Sequence, residues 1–123
     1  MPYTLTMENG LVDLRFTGIV SAQDCLDADK EMHEAPNYEE SRFGIVDFTA
    51  MEKMSITSEA IRQIAQDDLV HSSRIPDLRV AFIAATPIAV GFARMWQNLS
   101  MEGVWVSEIF ETRAEAENWL YNT

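Results

Sequence analysis

Two short runs in this chain leave no polar face for water. Arg42–Phe48 (RFGIVDF) and Leu78–Ala85 (LRVAFIAA) carry apolar residues at both odd and even positions. Successive side chains of a strand point to opposite faces, so such a strand needs cover on both sides and belongs in the middle of a sheet. Helices on both faces, a second copy of the chain or an apolar ligand would supply that cover. One pattern therefore constrains fold and function together.

The flanking segments supply the rest of the sheet. Tyr3–Glu8 alternates, with Tyr3, Leu5 and Met7 opposite Thr4, Thr6 and Glu8. Leu11–Thr17 alternates too, with Val12, Leu14 and Phe16 opposite Asp13, Arg15 and Thr17. Asn9-Gly10 between them tolerates the positive φ values of a tight hairpin turn. Val104–Phe110 is the last predicted strand.

Four helices fall between and after the strands. The first starts at Ser21, with Asp24 three residues on, and stops near Glu34 because Pro36 cannot continue it. The second spans about Ser58 to His71, with Ala60, Ile61, Ile64 and Ala65 as its stripe. Pro87 suits the first turn of the third, whose predicted core side is Ile88, Phe92, Met95, Trp96 and Leu99. Thr112 and Glu115 form a capping pair for the fourth, which packs through Ala116, Trp119 and Leu120. Met51 and Met54 are expected in a loop.

The order ββαβαβαβα implies right-handed crossovers and an α/β fold. The expected sheet is mixed, mostly parallel and five-stranded, with four helices and the first strand antiparallel at an edge. No linker, repeat or low-complexity segment interrupts the chain, so residues 1–123 are expected to form one domain.

Charge narrows the partners. Twenty acidic residues oppose nine basic ones, a net charge of −11. Such a surface repels nucleic-acid phosphates and anionic lipid headgroups, so no nucleic-acid partner is expected. The longest charge-free apolar stretch, Val80–Ala93, contains Pro87 and is too short to span a bilayer, so any membrane contact would be peripheral. The lone cysteine, Cys25, allows no internal disulfide. With no basic-then-apolar leader at the start, the expected location is cytoplasmic.

One resemblance emerges from the closing third. The run VAFIAA, the helix residues Gly91, Ala93, Arg94 and Met95, and then Phe110, Ala116, Trp119 and Leu120 resemble the SpoIIAA-like family of small bacterial proteins. Val46-Asp47-Phe48 and the early hairpin also fit. The family's fold is similar to the STAS domain of anti-sigma-factor antagonists and to the core of CRAL-TRIO lipid carriers. The resemblance implies a non-enzymatic regulatory or protein-interaction module. STAS antagonists carry a phosphorylated serine after an aspartate at the start of their second helix, with a glycine soon after. Here Asp47 is followed by FTAMEKMSITSEA, without that Asp-Ser pair or glycine. Thr49, Ser55, Thr57 and Ser58 are the hydroxyl side chains near that place, with Ser55, Thr57 and Ser58 the candidate phosphorylation sites.

Candidate chemistry is sparse. His33 and His71 fall on different helices and share no ligand-spaced motif with Cys25, so no metal and no cofactor are expected. Cys25 lies on the apolar side of its helix, as a small core residue would. Asp68 falls among Ile61, Ile64 and Ala65, where a carboxylate needs a partner or the helix must end. Asp47 sits at the carboxyl end of a central strand, the usual ligand edge of an open α/β sheet. Thr86 and the third helix's first turn share that edge. Arg94 lies off the apolar stripe and is a candidate ligand or partner contact.

Three readings remain open on sequence. The first is a STAS-like interaction module, self-associating as a homodimer or bound to a partner protein. Second is a carrier or sensor of a small apolar molecule, in a groove by the third helix lined by Met54, Val90, Phe92, Met95 and Trp105. The third is an enzyme using Asp47 with Asp68 or His71; the chain shows no catalytic motif, and a non-enzymatic role is expected.

Overall fold

The computed structural model describes residues 2–75, 77–99 and 105–122. Strands β1 (Tyr3–Glu8) and β2 (Leu11–Ser21) lead to helix α1 (Ala22–Glu34). A 3₁₀ turn at Tyr38–Glu40 precedes β3 (Phe43–Ser55), α2 (Ser58–Ser72), β4 (Arg79–Ile83), α3 (Pro87–Leu99), β5 (Val106–Phe110) and α4 (Arg113–Tyr121). The five strands lie in chain order, with β1 antiparallel to β2 and every later pair parallel. This is the mixed α/β sheet expected from the alternation. Asn9 (φ 52°) and Gly10 (φ +81°) turn the hairpin as anticipated, both in the left-handed region that an Asn-Gly pair accepts. No described helix is long and apolar enough to cross a membrane.

Both faces of the central strands are covered by helices. Helices α1, α2 and α3 share one side, over a core containing Phe16, Val20, Phe48, Ile64, Phe82 and Trp96. On the other, Ala116 and Leu120 of α4 meet Ile45, Ala81 and Ile83. Ile45 and Ile83 are fully buried, a gain of about 1.5–3 kcal/mol each over exposure. Helix α4 thus supplies the second cover, and the central strands require no partner chain or ligand for it.

The helix starts are built as local chemistry dictates. The Ser21 hydroxyl accepts from Asp24 N–H while the Asp24 carboxylate accepts from Ser21 N–H, a complete capping box. Thr57, one residue before the predicted start, caps α2 by accepting from Ala60 N–H. Thr112 caps α4.

Three expectations change. Strands β2 and β3 both run further than expected: β4 stops pairing at Asp47–Ile83, but Thr17–Ser21 continues against Ala50–Ser55. Met51 and Met54 are therefore in a strand, not a loop, and Met54 is buried. Register shifts at Arg15/Thr17 and Gly18/Ile19, with Gly18 at φ +64°, break the period-two pattern that would have revealed the extension. Ile88 is 59% exposed instead of core, because α3's first turn lies beyond the carboxyl end of β4, past the sheet it would pack on. Among the described side chains of α3, Ala89, Phe92, Ala93 and Trp96 are buried and Met95 packs half-buried beside them, while the side chain of predicted Leu99 lies outside the described residues. The last strand starts at Val106; predicted Val104 lies outside the described residues.

Candidate functional site

Two charged clusters sit on opposite sides of the sheet. On the α4 side, Arg113 bridges Asp13 and Asp47, donating to Asp13 Oδ1 at 3.1 Å and to Asp47 Oδ2 at 3.0 Å. Arg15 adds a second clamp on Asp13, from Nη2 to Oδ2 at 3.0 Å. Burial alone would raise the Asp13 pKa, but the hydrogen bonds from Arg15 and Arg113 outweigh it and hold the carboxyl below its ordinary range. Asp47 Oδ1 also accepts from the N–H and hydroxyl of Thr49. Asp47 is thereby occupied on both oxygens, as a structural ion pair.

Deeper chemistry lies on the other side. Asp29 and His33 are one helical turn apart on α1, and Asp68 faces them from α2. All three are more than nine-tenths buried. The His33 ring approaches both carboxylates, with Nε2 3.1 Å from Asp68 Oδ1 and Nδ1 3.6 Å from Asp29 Oδ2. These approaches are close but misaligned. Asp29 Oδ2, His33 Nε2 and Asp68 Oδ1 satisfy no hydrogen bond among the described residues. The other Asp68 oxygen is anchored, accepting from Trp96 Nε1 at 2.6 Å. Burial first, and then the negative charge of Asp68, push the Asp29 carboxyl well above its ordinary pKa.

Aromatic rings wall the cluster. His71 stacks on His33 at 4.1 Å, and Tyr38 meets both rings edge-on. Asp29 and Asp68 border an apolar cavity of about 70 Å³ between the sheet and α1–α3, lined also by Cys25, Phe92, Trp96 and Trp105. Burial pushes the Cys25 thiol up to about 12, so it is a core residue and not a poised nucleophile.

The sequence candidates scatter. Phe92 and Trp105 line the cavity, but Met54, Val90 and Met95 do not; they pack around the same core. Thr86 caps α3, its hydroxyl accepting from Ala89 N–H. Arg94 is exposed and makes no ion pair among the described residues. Ser55, Thr57 and Ser58 are all exposed at the start of α2. Asp47 and Asp68 do not converge, because one engages α4 and the other sits beneath α1 and α3. Sequence reasoning found Asp68 but missed its partners. The signal was Asp29 and His33 at i and i+4, hidden in the acidic run of α1.

This architecture defines a class: the chain has the SpoIIAA-like, STAS-like fold. It superposes on an uncharacterised DUF3478-family protein with a SpoIIAA-like fold from Shewanella loihica PV-4, at a TM-score of 0.60 and 16% identity, covering 96% of this chain and 91% of that one. It likewise matches the anti-sigma factor antagonist SpoIIAA in its unphosphorylated form, at a TM-score of 0.61 and 13% identity, covering 98% and 99%. No protein-family model and no curated protein sequence matches the chain.

Proposed function

We propose that residues 1–123 form one STAS-like regulatory module that acts by binding protein, including a second copy of itself, without catalysis. The fold supports this reading, and the observation that carries it is the state of the sheet's carboxyl edge. Ile19, near the end of β2, is 70% exposed, and Ile88, in the first turn of α3, is 59% exposed. Val70, Val106 and Tyr121 are exposed as well but lie away from this edge; Ile19 and Ile88 are the large apolar side chains that a protein contact here would bury. The hydroxyls of Ser55, Thr57 and Ser58 belong to the same edge. A phosphate there would meet the positive end of α2, so modification could tune the contact. Asp47, although at this edge, is neutralised by Arg113 and contributes shape instead of free charge.

Light scattering on the chain from low to high micromolar concentration tests the reading. Self-association is expected for the wild type and loss of it for Ile19→Asp and Ile88→Asp. A wild type that stays monomeric throughout removes the self-association.

The cavity favours a second reading, a carrier of a small apolar molecule. Its walls are apolar, but its roughly 70 Å³ compares with about 150 Å³ for a cavity known to admit benzene. A lipid chain would need α3 to lift from the sheet. Mass spectrometry of freshly purified protein under denaturing conditions would reveal a resident ligand, and its absence would remove this second reading.

A further inference from the structure

The geometry points to a binding site for one divalent transition-metal ion of the zinc class, held by Asp29, His33 and Asp68 between α1 and α2. This goes beyond the interaction reading and does not depend on it.

Three observations meet at this point. The first is the donor set. One ligand atom from each of the three residues lies within 4.8 Å of the other two. Ligands at 2.0–2.2 Å around a tetrahedral ion stand about 3.4 Å apart, so side-chain movements of roughly 1 Å would close the site. Imidazole combined with two carboxylates suits a first-row transition ion better than magnesium or calcium, which prefer oxygen throughout. The ion would take one ring nitrogen of His33. Nε2 is the one beside Asp68 Oδ1, and both of those atoms lack a hydrogen bond among the described residues.

The second observation is the unsatisfied burial. Asp29 Oδ2, His33 Nε2 and Asp68 Oδ1 are all withdrawn from water on residues 8%, 6% and 5% exposed. Orphaned buried polar atoms are costly, and a single ion would satisfy all three at once. A divalent cation and two carboxylates sum to zero charge, which is the form a buried cluster tolerates.

Support and access form the third. Trp96 Nε1 holds Asp68 Oδ2 at 2.6 Å and so leaves Oδ1 to the ion, the outer-layer hydrogen bond that metal-binding carboxylates commonly receive. From outside, a groove between α1 and α2 reaches His33 past Asp27, Glu34 and Asp67. Its acidic rim on a chain of net charge −11 draws cations in.

The test uses the full chain, freed of metal by a chelator and then titrated with zinc or cobalt(II). Expected are one saturable equivalent by calorimetry, a cobalt visible band, and paramagnetic loss of the His33 ring signals. Only two histidines exist, so those signals can be assigned. Asp29→Asn and His33→Gln should abolish stoichiometric binding, while Glu111→Gln, exposed and outside the groove, keeps it. Trp96→Phe should weaken binding about 10- to 100-fold, the usual cost of losing an outer-layer partner. The wild-type titration decides even if the variants fold poorly. No saturable equivalent at up to about 100 µM zinc, or binding that leaves the His33 signals intact, overturns the proposal. Equal affinity in folded Asp29→Asn and His33→Gln does so as well.

Discussion

Trp96 donates its indole N–H to the Asp68 carboxylate at 2.6 Å inside the three-helix side of the core. This bond ties α3 to α2 where both are buried. It explains how a carboxylate persists among Ile61, Ile64 and Ala65, and it determines which carboxylate oxygen remains open toward His33.

Trp96→Phe should therefore cost more than the lost ring area. A hydrogen bond to a charged acceptor contributes about 1.5–3 kcal/mol, and an acceptor left buried adds to the penalty. We expect destabilisation of at least about 2 kcal/mol in urea with an unchanged m-value. A loss under about 0.5 kcal/mol would show that water replaces the indole.

Acid stability should follow the Asp13–Arg113 clamp. The Asp13 carboxyl lies below its ordinary value of 3.8 in the folded chain. A depressed carboxylate stabilises the fold fully above its unfolded value, and that contribution fades as pH falls through the folded one. Arg113→Gln should thus destabilise the protein at neutral pH by about 2 kcal/mol, because Asp13 and Asp47 both lose a partner. The gap between wild type and variant should narrow below pH 3.8. Chemical denaturation from pH 2 to 7 measures it, and a gap independent of pH would contradict the assignment.

Gly91 tests what packing leaves unexplained in α3. A Cβ built there meets nothing within 4 Å, and the residue is exposed. Glycine in a helix interior costs about 0.5–1 kcal/mol relative to alanine. Gly91→Ala should raise stability by that amount. If it also weakens self-association, the bare surface beside Arg94 is part of the contact.

Cys25 should be chemically silent in the native state. With its thiol pushed up to about 12, little thiolate exists at pH 8, and the residue is 3% exposed. Labelling by a disulfide reagent should track global unfolding in urea. Rapid native labelling would mean that α1 opens locally.

Much of the architecture was legible before any coordinates. Strands apolar on both faces announced a central position, and α4 provides the missing cover through Ala116 and Leu120. Caps at Ser21 and Thr112 were readable because they are local. The extension of β3 was not, since Gly18 and two register shifts disrupt the alternation on which strand reading depends. The Asp29–His33–Asp68 cluster was half legible. Asp68 stood out on its apolar stripe, but its contact with α1 spans 35 residues of chain, from His33 to Asp68, and no periodicity encodes such a pairing. Ile88 was misplaced because helical period says nothing about where the underlying sheet ends.

The void beneath Trp96 and Trp105 has a mechanical consequence. Pressure favours the state that eliminates packing space, and this cavity of about 70 Å³ lies where α3 meets the sheet. Compression should therefore attack this protein at the junction of α3 with the sheet. Hydrostatic pressure of a few kilobar, applied with no denaturant at all, should loosen that helix ahead of the strands beneath α4.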